Sequence, residues 1–212
     1  MLIEINDVTK TIKGALILDR VSLRFESGTI YGLQGPNGSG KTMLMRLVAG
    51  LIQPTKGEVL IDGKRLGHDI DFPPSLGLLI DNPAFLPEYT GKKNLELLAD
   101  LQNRIGIEEI CQTIRDVGLD PEDKRKYRKY SLGMKQRLGL AAAIMEKPEL
   151  LLLDEPTNAL DERGVEEVCG LIRRERDLGA LVIVACHDRE LLDGLADEIY
   201  TVAEGHVERR AP

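Results

Sequence analysis

The stretch from Ile30 to Thr42 constrains the fold of this chain more than any other. It reads Ile-Tyr-Gly-Leu-Gln-Gly-Pro-Asn-Gly-Ser-Gly-Lys-Thr and contains the pattern G-x-x-x-x-G-K-[ST] after a short apolar segment. This pattern predicts a strand, a glycine-rich turn and a helix. An amphipathic helix is indicated by the apolar residues that follow at i, i+3, i+4, i+7 spacing, namely Leu44, Leu47, Val48 and Leu51. A turn without a ligand is the alternative, and this helix pattern makes it the less favoured one.

Such a turn can bind phosphate. Glycines let successive backbone N–H groups point inward as a nest for anionic oxygens, and the helix adds its positive end. Lys41 would reach the β- and γ-phosphates, and the Thr42 hydroxyl would hold Mg²⁺. The predicted nucleotide-binding residues are Gly35, Pro36, Asn37, Gly38, Ser39, Gly40, Lys41 and Thr42.

Two further apolar runs end in residues that suit phosphate chemistry. Leu150–Leu153 precedes Asp154 and Glu155, and Leu181–Cys186 precedes His187. Ligands of open α/β sheets collect at the carboxyl ends of such strands. Asp154 can therefore take a water of Mg²⁺, Glu155 can deprotonate the attacking water, and His187 can act at the γ-phosphate. The alternatives are a turn cap, an exposed acid and a structural histidine.

The remaining chain indicates a mixed α/β domain. Apolar segments in the first 26 residues, joined by a turn at Lys13-Gly14, predict an antiparallel sheet that leads into the phosphate-loop strand, and Glu204-Gly205 predicts a terminal hairpin. Helical periodicity fills residues 92–147. We predict one domain over 1–212, with a core and β subdomain in 1–81 and 148–212, and a helical subdomain in 82–147.

Composition narrows the class of protein. The chain has 212 residues, 42% hydrophobic content and a net charge of −7, which argues against a nucleic-acid partner. The longest apolar runs fall far short of the roughly 18 residues of a membrane span. Acid near Met1 and three widely spaced cysteines favour a cytoplasmic location with reduced thiols.

A basic cluster precedes Tyr130. Its residues are Lys124, Arg125, Lys126, Arg128 and Lys129. Such a run is usually a solvated face. A docking surface for an acidic phosphate or an anionic membrane rim remains the alternative.

The stretch Tyr130–Leu138 reads Tyr-Ser-Leu-Gly-Met-Lys-Gln-Arg-Leu. Ser131 is a good helix N-cap and Gly133 exposes backbone in the first turn, so this helix start could bind an anion. Spacing alone does not identify the anion.

Together these motifs resemble the ATP-binding cassette (ABC) ATPases. The segment from Gly35 to Thr42 matches Walker A, and Leu150 to Glu155 matches Walker B. Ser131 to Lys135 resembles the signature motif, with Leu-Gly-Met-Lys where the commoner form has Gly-Gly-Gln. Asn158 to Asp161 resembles the D-loop, and His187-Asp188 resembles the switch histidine.

The resemblance implies a nucleotide-dependent head-to-tail dimer that holds ATP and Mg²⁺ between Walker motifs and the partner's signature helix. Ser131 and the Gly133 N–H would contact the partner's γ-phosphate, and Asp161 would signal across the interface. Glu155 would be the general base and His187 would hold the γ-phosphate and water.

Two positions depart from the family pattern. Ile12 occupies the place of the aromatic residue that stacks on adenine, so we expect weaker discrimination between ATP and GTP. Asp81 occupies the place of the Q-loop glutamine and remains a candidate ligand of Mg²⁺ or its water.

The signature form and the Pro-Ala-Phe-Leu-Pro segment are similar to cassettes of bacterial antibiotic-resistance and lantibiotic-immunity exporters. This implies separate transmembrane permease subunits, docked near Asn82–Asn94, and a peripheral position on the inner face of the cell membrane. The alternatives are a soluble ABC ATPase that acts on ribosomes or nucleic acid, and a catalytically silent regulatory cassette.

Overall fold

The computed structural model describes residues 1–81 and 83–210. Its strands are β1 (Leu2–Ile12), β2 (Ala15–Glu26), β3 (Ile30–Gln34), β4 (Lys56–Ile61), β5 (Lys64–Arg65), β6 (Leu76–Leu79), β7 (Leu150–Asp154), β8 (Leu181–Cys186), β9 (Glu198–Ala203) and β10 (His206–Arg209). Its α-helices are α1 (Lys41–Val48), α2 (Gly91–Gln102), α3 (Ile107–Asp116), α4 (Leu132–Ile144), α5 (Glu162–Asp177) and α6 (Arg189–Leu195).

The first sheet is antiparallel and has the strand order β2-β1-β4-β5. The turn at Lys13-Gly14 joins β1 to β2, as predicted, since both residues adopt positive φ. Alternate residues of β1, such as Ile3 and Ile5, are buried, while Asn6 and Asp7 are exposed. One face of the sheet therefore packs on the core.

The second sheet carries the catalytic candidates. Its order is β10-β9-β3-β8-β7-β6, and β9 and β10 form its antiparallel pair while β9, β3, β8, β7 and β6 run parallel. Every residue of β8 and the four leucines of β7 are buried, because both faces of the sheet are covered. The phosphate-loop strand β3 pairs with β8, so its carboxyl end lies beside those of β8 and β7.

The two faces of this sheet belong to two hydrophobic clusters. Leu152 and Ile183 point toward α1 and the antiparallel sheet. Leu151 and Val184 point toward the cluster that also contains buried residues of α2, α3, α4, α5 and α6. This alternation follows the period of two of a strand, and it makes the parallel sheet the centre of the molecule.

The predicted α/β core is confirmed, with a mixed sheet, an antiparallel β portion and inserted helices. The helical segment contains α2, α3 and α4. The subdomain division at 82–147 stays a prediction, and its first residue, Asn82, lies outside the described residues. Among the described residues, none of the helices combines the length and apolarity that crossing a bilayer demands.

Candidate active site

The phosphate loop connects β3 to α1 and requires glycine for two reasons. Gly40 adopts φ 113°, a left-handed value that other residues resist. Gly35 approaches the neighbouring strand so closely that a Cβ atom would lie 2.2 Å from the backbone oxygen of Val202. The backbone of the loop is thereby fixed against β9.

Three features of the loop fit an anion. The hydroxyl of Ser39 is buried and has no hydrogen-bond partner within the described residues. Lys41 is only 5% exposed, and its Nζ donates to the carbonyl oxygens of Gly35 at 2.6 Å and Pro36 at 3.1 Å, so its charge faces neutral acceptors. Helix α1 begins at Lys41 without a side-chain cap. Buried positive charge and free donors at a helix start are what a phosphate chain requires.

A cation position lies beside the loop. The Thr42 hydroxyl donates to Asp154 Oδ2 at 2.5 Å, so two hard oxygen donors converge there. Burial raises the pKa of the Asp154 carboxyl, the hydrogen bond from Thr42 opposes that rise, and the nearby charge of Glu155 adds to it. A divalent cation would relieve this burial cost, so Thr42 and Asp154 fit the predicted Mg²⁺.

Glu155 is held in a strained and well-supported conformation. Its φ of 48° lies in the left-handed region, which costs a non-glycine residue about 1–2 kcal/mol. Its N–H donates to the Ala185 oxygen at 2.8 Å. Its carboxylate accepts from the His187 N–H at 3.0 Å and lies 2.9 Å from His187 Nδ1. The predicted catalytic pair is therefore brought together, with the carboxylate 24% and the imidazole 68% exposed.

Gln136 is a site residue that the sequence interpretation missed. It lies on α4 and is buried, and its Nε2 donates to the Glu155 carbonyl at 3.0 Å. It thus ties the helical segment to the catalytic loop. Its position three residues after Gly133, in an otherwise apolar helix face, is the sequence signal that could have revealed it.

A cavity of about 510 Å³ joins these elements. Its lining includes the phosphate loop from Asn37 to Met43, together with Asp81, Gln136, Asp154, Glu155, Asn158 and Ile17. Asp81 adopts φ 60° and forms an ion pair with Arg46 of α1, a partner that the sequence did not reveal. The lining includes Ile17 of β2, whereas Ile12 ends β1 at the hairpin and is not in that lining. Adenine contact by Ile12 stays a prediction.

The three residues predicted to act across the dimer interface, Ser131, Gly133 and Asp161, lie outside this lining. Ser131 caps α4 by accepting from the Met134 N–H at 3.2 Å, and Asp161 caps α5 by accepting from the Gly164 N–H at 2.9 Å. A Cβ on Gly133 would lie 3.0 Å from the Ala159 oxygen, so the start of α4 adjoins the D-loop segment of its own chain. The structure does not bring Ser131 or Gly133 to the chain's own phosphate loop.

Fold and site define a P-loop cassette of the ABC type. The profile described as ABC transporter matches residues 18–158, and the chain belongs to this family.

Among its relatives, the uncharacterized ABC transporter ATP-binding protein YybJ of Bacillus subtilis is 46% identical, and the match covers 98% of this chain and 95% of that one. The bacitracin transport ATP-binding protein BcrA of Enterococcus faecalis is 37% identical, and the match covers 97% of this chain and 67% of that one. The lantibiotic transport ATP-binding protein SrtF of Streptococcus pyogenes is 32% identical, and the match covers 97% of this chain and 89% of that one. These relatives confirm the predicted resemblance to cassettes of this type.

A solved structure shares the fold. The ATP-binding cassette MJ0796, described as a dimer in a post-hydrolysis state bound to ADP and Pi, superimposes with a TM-score of 0.87 and 25% identity. The match covers 99% of this chain and 100% of that one.

Proposed function

We propose that this chain hydrolyses ATP to ADP and phosphate and thereby energises a membrane transporter. The observation that carries the proposal is the preorganised contact between the Glu155 carboxylate and His187, 2.9 Å apart, at the edge of the phosphate-loop cavity. Glu155 fits the role of general base, since its carboxylate accepts from the His187 backbone N–H and contacts the His187 ring. The silent-cassette alternative is disfavoured because Lys41, Asp154, Glu155 and His187 are all in place.

The chain's own residues divide the work. Loop N–H groups, Ser39 and Lys41 bind and orient the phosphates. Thr42 and Asp154, with Asp81 as a further candidate, would hold Mg²⁺, which supplies charge neutralisation at the phosphates when bound. Glu155 accepts a proton from the attacking water, and His187 orients that water and the γ-phosphate.

We further infer that the working unit is a nucleotide-dependent head-to-tail dimer. Ser131 caps helix α4 and Gly133 lies in its first turn, yet neither lines the chain's own cavity. A second copy, placed head to tail, would offer them a γ-phosphate. The dimeric form of the MJ0796 cassette supports this arrangement.

The partner that we propose is a pair of transmembrane permease subunits, with this chain peripheral on the inner face of the membrane. We expect docking near residues 82–94, and a groove of about 420 Å³ lies close by, between the segment before β6 and helices α2 and α4. Phe72, Leu98 and Leu101 line it and are exposed. Within the range 82–94, Leu86 and Tyr89 are exposed as well. The names of BcrA and SrtF favour export of a peptide antibiotic.

Phosphate release from Mg²⁺ and ATP tests the enzymatic part. Glu155→Gln keeps the shape of the side chain and removes the base, so we expect turnover to fall about 10²–10⁴-fold while ATP stays bound. An equal rate in the wild type and in Glu155→Gln would overturn the proposal and revive the silent cassette.

Affinity purification tests the transport part. Tagged Glu155→Gln protein, trapped with ATP and Mg²⁺ in detergent-solubilised native cells, should retain a stoichiometric multi-span membrane protein, which mass spectrometry identifies. Recovery of ribosomal or DNA-bound partners instead would favour the soluble ABC ATPase and reject the transporter.

A further inference from the structure

The end of β8 places a cysteine beside the catalytic pair. Cys186 is the last residue of β8, and its sulfur, a carboxylate oxygen of Glu155 and a ring nitrogen of His187 all lie within 4.8 Å of one another. The strand register explains this, because Asp154 pairs with Ala185 and so brings the next residue of each strand to the same edge. The cluster is thus built by the sheet itself.

These three side chains differ from the Mg²⁺ donors. Thr42 and Asp154 offer hard oxygens, whereas a thiol, an imidazole and a carboxylate are the ligands that zinc binds. Three protein ligands with one position left open are also the usual composition of a catalytic zinc site.

The sulfur is oriented, and its residue is buried but lines a cavity. It accepts a hydrogen bond from the Asp188 N–H at 3.3 Å, a contact that fixes its direction and suits a metal-bound thiolate. A separate cavity of about 590 Å³ is lined by Glu155, Cys186 and His187. Its lining also includes the acidic residues Asp188 and Glu190. A cation can therefore approach the cluster without crossing the phosphate loop.

We propose that Glu155, Cys186 and His187 form a binding site for a thiophilic divalent cation of the zinc class, and that its occupancy stops ATP hydrolysis. Binding forms bonds from the metal to sulfur, nitrogen and oxygen, and the thiol proton leaves to solvent, without any change of oxidation state. The inhibitory consequence rests on the proposed function, because it withdraws Glu155 and His187 from the attacking water. The binding itself does not depend on that function.

Cobalt(II) reports this site directly, since zinc is spectroscopically silent. Nucleotide-free protein is titrated with Co²⁺ and the thiolate-to-cobalt charge-transfer absorption is recorded. We expect the band in the wild type and in Cys169→Ser, a matched control because Cys169 lines the same cavity outside the cluster, and its loss in Cys186→Ser. A band that persists in Cys186→Ser, or no band at millimolar Co²⁺, would overturn the proposal.

A second variant covers the case in which the buried Cys186→Ser does not fold. His187→Ala changes an exposed side chain and keeps the thiol, and we expect it to weaken Co²⁺ binding at least about 10–100-fold, the loss typical even of outer-shell partners. Unchanged Co²⁺ affinity in this variant would contradict the site.

Inhibition is measured separately in excess Mg²⁺, with each protein normalised to its own metal-free rate. Zn²⁺ should lower the rate of the wild type and Cys169→Ser at concentrations at least about tenfold below those needed for Cys186→Ser. Equal inhibition of all three would reject the regulatory role. If the metal-free wild type shows no turnover, the proposed function fails while the Co²⁺ result still decides the binding site.

Discussion

At the residue scale, Asp154 carries an electrostatic cost that its ligand would relieve. Burial raises the pKa of this carboxyl above its ordinary value of 3.8. The folded protein therefore keeps the proton to a higher pH than the unfolded chain does. The resulting contribution to stability is fully present below the unfolded pKa and is lost as pH rises through the folded pKa. At neutral pH the nucleotide-free protein bears the charge at a cost.

Asp154→Asn should therefore raise the melting temperature of the nucleotide-free protein at neutral pH. The amide oxygen can still accept the hydrogen bond from Thr42. Each ~1 kcal/mol gained in the free energy of unfolding raises the melting temperature by about 2–4 °C. Thermal unfolding across pH checks this, and the difference from the wild type should shrink as pH falls toward 3.8. Mg²⁺ with ATP should stabilise the wild type more than the variant. A melting temperature that does not change at any pH would contradict the argument.

Asp81 should matter more for turnover than for binding. Its carboxylate lines the nucleotide cavity but is held by Arg46, outside the phosphate loop. We expect Asp81→Ala to lower kcat about tenfold, equivalent to ~1.4 kcal/mol in the barrier, while the Kd of a fluorescent ATP analogue changes little. Arg46→Ala is the matched control, since it breaks the ion pair and keeps the carboxylate. Unchanged turnover in Asp81→Ala would refute this role.

At the scale of elements, sequence patterns predicted most of what forms. The leucines of β7, the hairpin at Lys13-Gly14 and the helix after Gly40 were all predictable, because period, turn chemistry and the phosphate-loop pattern are local. The bond from Gln136 to Glu155 and the pair of Arg46 with Asp81 were not. Each joins residues 19 or 35 positions apart, and only packing brings them together.

The start of α4 is an element whose structural and functional roles can be separated. Ser131 caps the helix, so Ser131→Ala should cost about 0.5–2 kcal/mol of stability. Ser131→Asp keeps a good cap but places a negative charge where the partner's γ-phosphate would lie. We therefore expect Ser131→Asp to melt near the wild type and to lose ATP-dependent dimerisation, as measured by light scattering in the Glu155→Gln background. If the protein with Ser131→Asp dimerises as well as the protein that keeps Ser131, the result argues against the head-to-tail arrangement.

At the scale of the whole molecule, the parallel sheet connects two different surfaces. Its carboxyl edge carries the nucleotide cavity, and helices α2 and α4 on one face carry the exposed apolar groove. Helix α4 links them. It lines the groove with Ala142 and Ala143, and the side chain of its Gln136 donates to the backbone of Glu155. One helix therefore contacts both surfaces.

The groove should be required for assembly and not for folding. Leu101 is 80% exposed at the groove, so Leu101→Glu removes apolar surface from the proposed permease contact without disturbing the core. We expect this variant to keep its melting temperature within about 1–2 °C, as surface changes usually stay within ±0.5 kcal/mol, and to lose the co-purifying membrane protein. Leu178→Glu, at a leucine 66% exposed at the end of α5, is the matched control and should retain that partner. If both variants keep the membrane protein, permease docking lies elsewhere on the surface.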